Sequence, residues 1–142
     1  MKFTNYLKCA ALASLVAIGV AGCSKRAADK SSLEGHWTGY DQSQPNAKCT
    51  LVITGNQLEY HGADPGDWAR GTFELNEKTQ PAQMDLMVTA NPSKESVGKM
   101  LPIIYQMQGD ELHVAVGSGG SVQRPASFAK VPNVRLFTFK HD

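Results

Sequence analysis

Four histidines, three cysteines and a scatter of carboxylates are the residues whose chemistry could amount to catalysis or metal binding. Catalysis needs a nucleophile beside a base, a pair of carboxylates, or a set of metal ligands. His36, His61, His113 and His141 lie far apart in the chain. If the segments around them are strands, the first three fall opposite the larger apolar residues of their strands and face solvent. A zinc site would need those rings and Cys49 turned toward one interior, and no Cys-x-x-Cys or closely paired histidine spacing occurs. Asp85, between Met84 and Leu86, reads as an outward acid paired across a sheet. Gly117-Ser118-Gly119-Gly120 is glycine-rich, yet no Lys-Ser/Thr follows it and Pro125 blocks an early helix, so it makes a poor phosphate cradle. These residues predict no catalytic centre, no metal site and no cofactor.

Charge and the chain's first residues say more. Fourteen Lys and Arg against 13 Asp and Glu leave the chain nearly neutral. It has no basic run, which argues against a nucleic-acid partner. Met1 to Gly22 carries Lys2 and Lys8, then an apolar run from Cys9 to Val20, then small residues before Cys23. That is the pattern of a secretory leader, too short for a comfortable membrane span. Val20-Ala21-Gly22-Cys23 resembles the lipobox of bacterial lipoproteins. The resemblance implies cleavage before Cys23, diacylglycerol on its sulfur, and a fatty acyl group such as palmitate on the new amino terminus. Several chains on one residue anchor firmly, because each buried CH₂ contributes about 0.8 kcal/mol. Lys25 is not the aspartate that retains many such proteins in the inner membrane, so the expected address is the outer membrane, facing the periplasm.

On this reading residues 1–22 are a signal peptide, 23–32 a polar lipidated tether and 33–142 one domain. Cys9 leaves with the leader, Cys23 becomes the anchor, and Cys49 is left alone. No internal disulfide is then available, and Cys49 reads as a small buried hydrophobe.

The elements that would position any site are short strands. Leu33 to Tyr40 alternates, with Leu33, Gly35, Trp37 and Gly39 on one face. A Trp between glycines suits the narrow end of a small barrel, where the ring fills the floor and the glycines let a neighbour approach. Lys48–Thr54 and Gln57–His61 form a hairpin across Gly55-Asn56. Trp68–Leu75, Gln83–Thr89, Met100–Gln108, Glu111–Val116 and Val134–Lys140 continue the pattern, and Asn91-Pro92 predicts one helical turn capped by Asn91. Gly117 to Pro132 is a long loop, of a length that is often functional or mobile. Eight strands joined by hairpins, without a disulfide and with edges to hide, predict an all-β, antiparallel up-and-down barrel, with a β-sandwich as the alternative. Such a barrel is filled by side chains or holds one small ligand.

Gly35-His36-Trp37 resembles the Gly-x-Trp signature of lipocalins, in which an arginine near the last strand covers the tryptophan. Together with Leu51 to Leu58, Gly71 to Leu75, Pro81 to Leu86, Tyr105 to Leu112 and Arg124-Pro125-Ala126-Ser127-Phe128, the run resembles a family of small lipocalin-like domains of planctomycete-type and related bacteria. The resemblance implies a barrel and no particular activity. Arg124 and Arg135 are the candidates to cover Trp37. Trp37, Tyr60, Phe73, Tyr105 and Phe137, with the two arginines, are the candidate lining for a small apolar or amphipathic ligand. The competing expectation is an envelope module whose Gly117 to Pro132 loop meets another protein.

Overall fold

The computed structural model describes residues 30–118 and 123–142. The expected leader, Cys23, most of the tether and Gly119 to Ser121 lie outside the described residues.

After a single helical turn α1 (Lys30–Leu33), the chain forms β1 (Gly35–Asp41), β2 (Lys48–Thr54), β3 (Gln57–His61), β4 (Trp68–Asn76), β5 (Ala82–Ala90), β6 (Met100–Gln108), β7 (Glu111–Gly117) and β8 (Val134–His141). Each strand pairs antiparallel with the next, and β8 returns to β1 through pairs such as Trp37 with His141 and Gly39 with Phe139. The result is a closed eight-stranded up-and-down barrel, not a sandwich. Closure removes both sheet edges, which a chain with a single buried free cysteine among its described residues would otherwise have to protect.

Alternation along each strand sets the interior. In β5, Ala82, Met84, Leu86 and Val88 are buried while the residues between them are half-exposed. Leu51, Ile53, Phe73, Ile103, Leu112 and Phe139 pack with Ala82, Met84 and Leu86 in one core. Gly71 is needed for wall packing, since a Cβ there would collide with the Met87 carbonyl of β5.

Two local expectations are corrected. The first strand begins at Gly35, not Leu33, because Gly35 takes a φ of 132°, a conformation open to glycine, and turns the chain. Leu33 instead closes the helical turn and is fully buried. The second helical turn, a 3-10 turn, spans Lys94–Ser96 and begins after Ser93. Asn91 is not its cap: its Nδ2 donates to the Trp68 carbonyl at 3.0 Å, and its Oδ1 accepts from the Ser93 N–H at 2.8 Å.

The long connection between β7 and β8 straps the outside of the wall. Phe128 packs on Ile104, Ala115 and Leu136, an apolar patch on the outer face, and Pro125 is buried. Arg124 pairs with Asp85 and donates to the carbonyls of Ile103, at 2.8 Å, and Met84, at 3.3 Å. Asp85 is therefore an outward acid, as its strand parity requires, but its partner is a loop arginine and not a cross-strand neighbour.

Candidate ligand site at the barrel mouth

The two ends of the barrel differ. At the Gly35 end the strands are joined by short turns, including Gly55-Asn56 and Gly109-Asp110. At the other end lie the longer connections, residues 42–47, 62–67, 91–99 and 118–133.

Trp37 seals the short-turn end. Its Nε1 donates to the Leu33 carbonyl at 2.9 Å, and the His141 ring meets it edge-on with centroids 4.8 Å apart. Gly35 leaves room for the His141 ring, and a Cβ on Gly39 would strike the Thr138 carbonyl. The glycines on either side of the tryptophan thus admit β8, as their spacing predicts. Neither arginine covers the indole. Arg124 is on the outer wall, and Arg135 is at the far end of β8, because the antiparallel register sets His141 against Trp37 and Val134 against Gly117.

Arg135 organises the open end. Its Nε donates to Asp41 Oδ2 at 2.8 Å, its Nη2 to Asp67 Oδ2 at 2.9 Å and to the Tyr60 hydroxyl at 3.2 Å, and its Nη1 to Asp67 Oδ1 at 3.3 Å. The guanidinium carbon lies 4.9 Å from the centroid of Phe137 and 5.8 Å from that of Tyr60, within cation–π range. Asp41 is placed by the same parity that turns Trp37 and Gly39 inward.

Burial pushes the Asp41 carboxyl up, but hydrogen bonds from the Ser43 hydroxyl and N–H and from Arg135 outweigh it, holding the group below the ordinary carboxylate value. For Arg135, burial works against the charge, and the bonds to Asp67 and Asp41 more than restore it, so the guanidinium stays protonated. Tyr60 is pushed well above an ordinary phenol by burial, partly offset by Arg135, and keeps its proton for Asp67, which its hydroxyl reaches at 3.1 Å. Burial also pushes the Cys49 thiol up to about 11, which leaves it an unreactive hydrophobe.

Beneath this network the interior is hollow. A cavity of about 460 Å³ opens at the mouth between Trp68, Lys99 and Ser118 and descends along Leu58, Met84, Val114 and Leu112. Of the seven candidate residues, Tyr60, Tyr105, Arg135 and Phe137 border it. Trp37 and Phe73 are buried in the packing but do not border it, and Arg124 lies outside the wall. Sequence reasoning missed Asp41, Asp67 and Lys99. The first carried a legible signal, an aspartate in register with Trp37 on an inward face.

The histidines divide by strand parity and register. His36 and His61 are exposed, and His61 pairs with Glu59 at 2.6 Å. His113 differs from the solvent-facing expectation: it is half-buried, and its shielded Nε2 lies 3.3 Å from Glu111 Oε2 without hydrogen-bond geometry. Among the described residues no three His, Cys, Asp or Glu side chains gather as a metal-binding group. Comparison of the chain with protein-family models, curated proteins and solved structures finds no match, so the reading of this site stands on its own geometry.

Proposed function

We propose that this chain is a lipid-anchored protein of the bacterial cell envelope whose barrel holds one small apolar or amphipathic molecule. Cys23 carries the anchor, and the barrel faces the periplasm from the outer membrane. The observation that supports ligand holding is the open cavity of about 460 Å³. Its size falls in the range of small-molecule sites, roughly 300 to 1,000 Å³, and an apolar wall with a few convergent polar groups is their usual lining. A barrel with no ligand to hold gains stability by filling such a space, since contacts across a void are forfeited.

Native mass spectrometry of the full chain after gentle extraction tests this. The expected spectrum carries an additional mass that is absent from a Val114→Trp variant, in which an indole fills the cavity. Wild-type and variant spectra that both lack the added mass, under conditions that keep other lipids bound, contradict the reading. The anchor has its own test: labelled palmitate incorporates into the wild type and not into Cys23→Ala, and equal incorporation removes the assignment.

A further inference from the structure

The cavity does not present all head groups with the same welcome. Among its acidic and basic lining residues are Asp67, Arg135 and Lys99. Asp67 and Arg135 are bonded to each other and to Tyr60, and Arg135 also holds Asp41. Lys99 differs, since among the described residues no carboxylate lies within ion-pair distance of it.

Its backbone is nevertheless fixed. The Lys99 carbonyl accepts from the Val88 N–H at 3.0 Å, the Val88 carbonyl accepts from the Gly98 N–H at 2.8 Å, and the Lys99 N–H reaches the Ser96 carbonyl at 3.2 Å. Gly98, with a φ of 83°, permits that tight return. Val88 is itself a cavity wall, so the loop roots the lysine at the rim. Val97 and Met100, its near neighbours in sequence, are exposed apolar residues. Barrel order sets this β5–β6 connection across the mouth from β8 and β1, which carry Arg135 and Asp41.

We infer that the mouth takes the anionic head of a single-chain amphiphile, with Lys99 pairing the head and the hydrocarbon tail lying in the cavity. A cationic head would have to compete with Arg135 for Asp67 and Asp41 and break bonds already made. An anionic head gains an ammonium that has no carboxylate partner among the described residues, while Asp41 and Asp67 are each already paired with Arg135, and solvent screening at the open rim weakens what repulsion remains. At ~30 Å³ per water-sized group, the cavity takes roughly fifteen such groups, about a dodecyl chain with its head. This inference rests on the cavity being a ligand site and adds the charge of the ligand.

Equilibrium dialysis of the full chain in a non-ionic amphipol, with empty amphipol as blank, separates the two claims. The probes are radiolabelled dodecanoate, dodecanol and dodecyltrimethylammonium at pH 7.5, below their micelle thresholds. Dodecanoate is expected to bind at least tenfold more tightly than dodecyltrimethylammonium. Lys99→Glu should reverse that order and Lys99→Met abolish it, with dodecanol affinity held within twofold throughout. Equal affinities, a preference for the ammonium, or an order unchanged in Lys99→Glu overturns the head-group assignment and leaves the ligand site standing. Failure of all three probes to bind overturns the ligand site, and this inference with it.

Discussion

The floor and the mouth of this barrel are built from the same strands and put to opposite uses. At the floor, Trp37, Leu33 and His141 close against each other, and glycines bring β8 in until no room remains. At the mouth, the inward positions of β1, β3 and β8 carry Asp41, Tyr60 and Arg135, and the arginine bonds both of the others beside a space they do not fill. Hydrophobic closure at one end lets the other keep charge and volume. Stability belongs chiefly to the floor, and the proposed ligand selectivity to the mouth.

Replacing the floor residue should do the most damage. Trp37→Ala removes a 2 % exposed indole and leaves the Leu33 carbonyl without its donor, an expected loss of about 3 to 5 kcal/mol in urea unfolding. A loss below about 1 kcal/mol would show that the barrel does not depend on a sealed floor.

Arg135→Met attacks the mouth and leaves Asp41 and Asp67 without their cation. Removing one member of a buried pair costs about 3 to 5 kcal/mol, and because the Arg135 side chain is 35 % exposed, solvent screening reduces the expectation to about 2 kcal/mol. The same network predicts a pH dependence. Asp41 binds its proton less readily in the folded chain than in the unfolded one, so its stabilising contribution is whole above the ordinary value of 3.8 and disappears as pH falls through the depressed one. Unfolding midpoints of the wild type should drop below about pH 4, with a shallower fall in Asp41→Asn. Parallel curves for the two proteins would remove Asp41 from the account.

The smallest effect belongs to the outer strap, which serves neither end. Arg124→Ala breaks a partly exposed pair with Asp85, and about 1 kcal/mol or less is expected. Hydrogen exchange should accelerate around Phe128 while Trp37 and its neighbours stay protected. Uniform acceleration across the barrel would make the strap part of the core.

What could be read from the sequence follows from this same contrast. Strand alternation and turn residues were legible, because period-two burial and positions such as Gly55-Asn56 are local signals. So was the closing role of the glycines beside Trp37. Strand pattern alone does not identify the partner of the indole, which depends on register: Arg135 and His141 share a face of β8 but lie six residues apart, about 20 Å along a strand. Only the antiparallel return to β1 decides that the histidine meets Trp37. Arg124 sits in a stretch without periodicity, and nothing local tells that it grips an outer wall. The hollow was illegible for another reason, since Tyr105, Leu112 and Phe137 are what either a filled or an empty barrel would contain. Volume depends on how all eight strands pack, not on any one of them.

The contrast between a packed floor and a hollow mouth meets its most direct test in methyl and amide NMR of the full chain titrated with dodecanol, whose uncharged head isolates the cavity from the rim lysine. Saturable shifts are expected at Leu112, Val114 and Val116, with Leu33 and the Trp37 indole N–H unmoved. Shifts concentrated at Leu33 and Trp37, or on the outer patch of Ile104 and Leu136, or none at saturating probe, would contradict it.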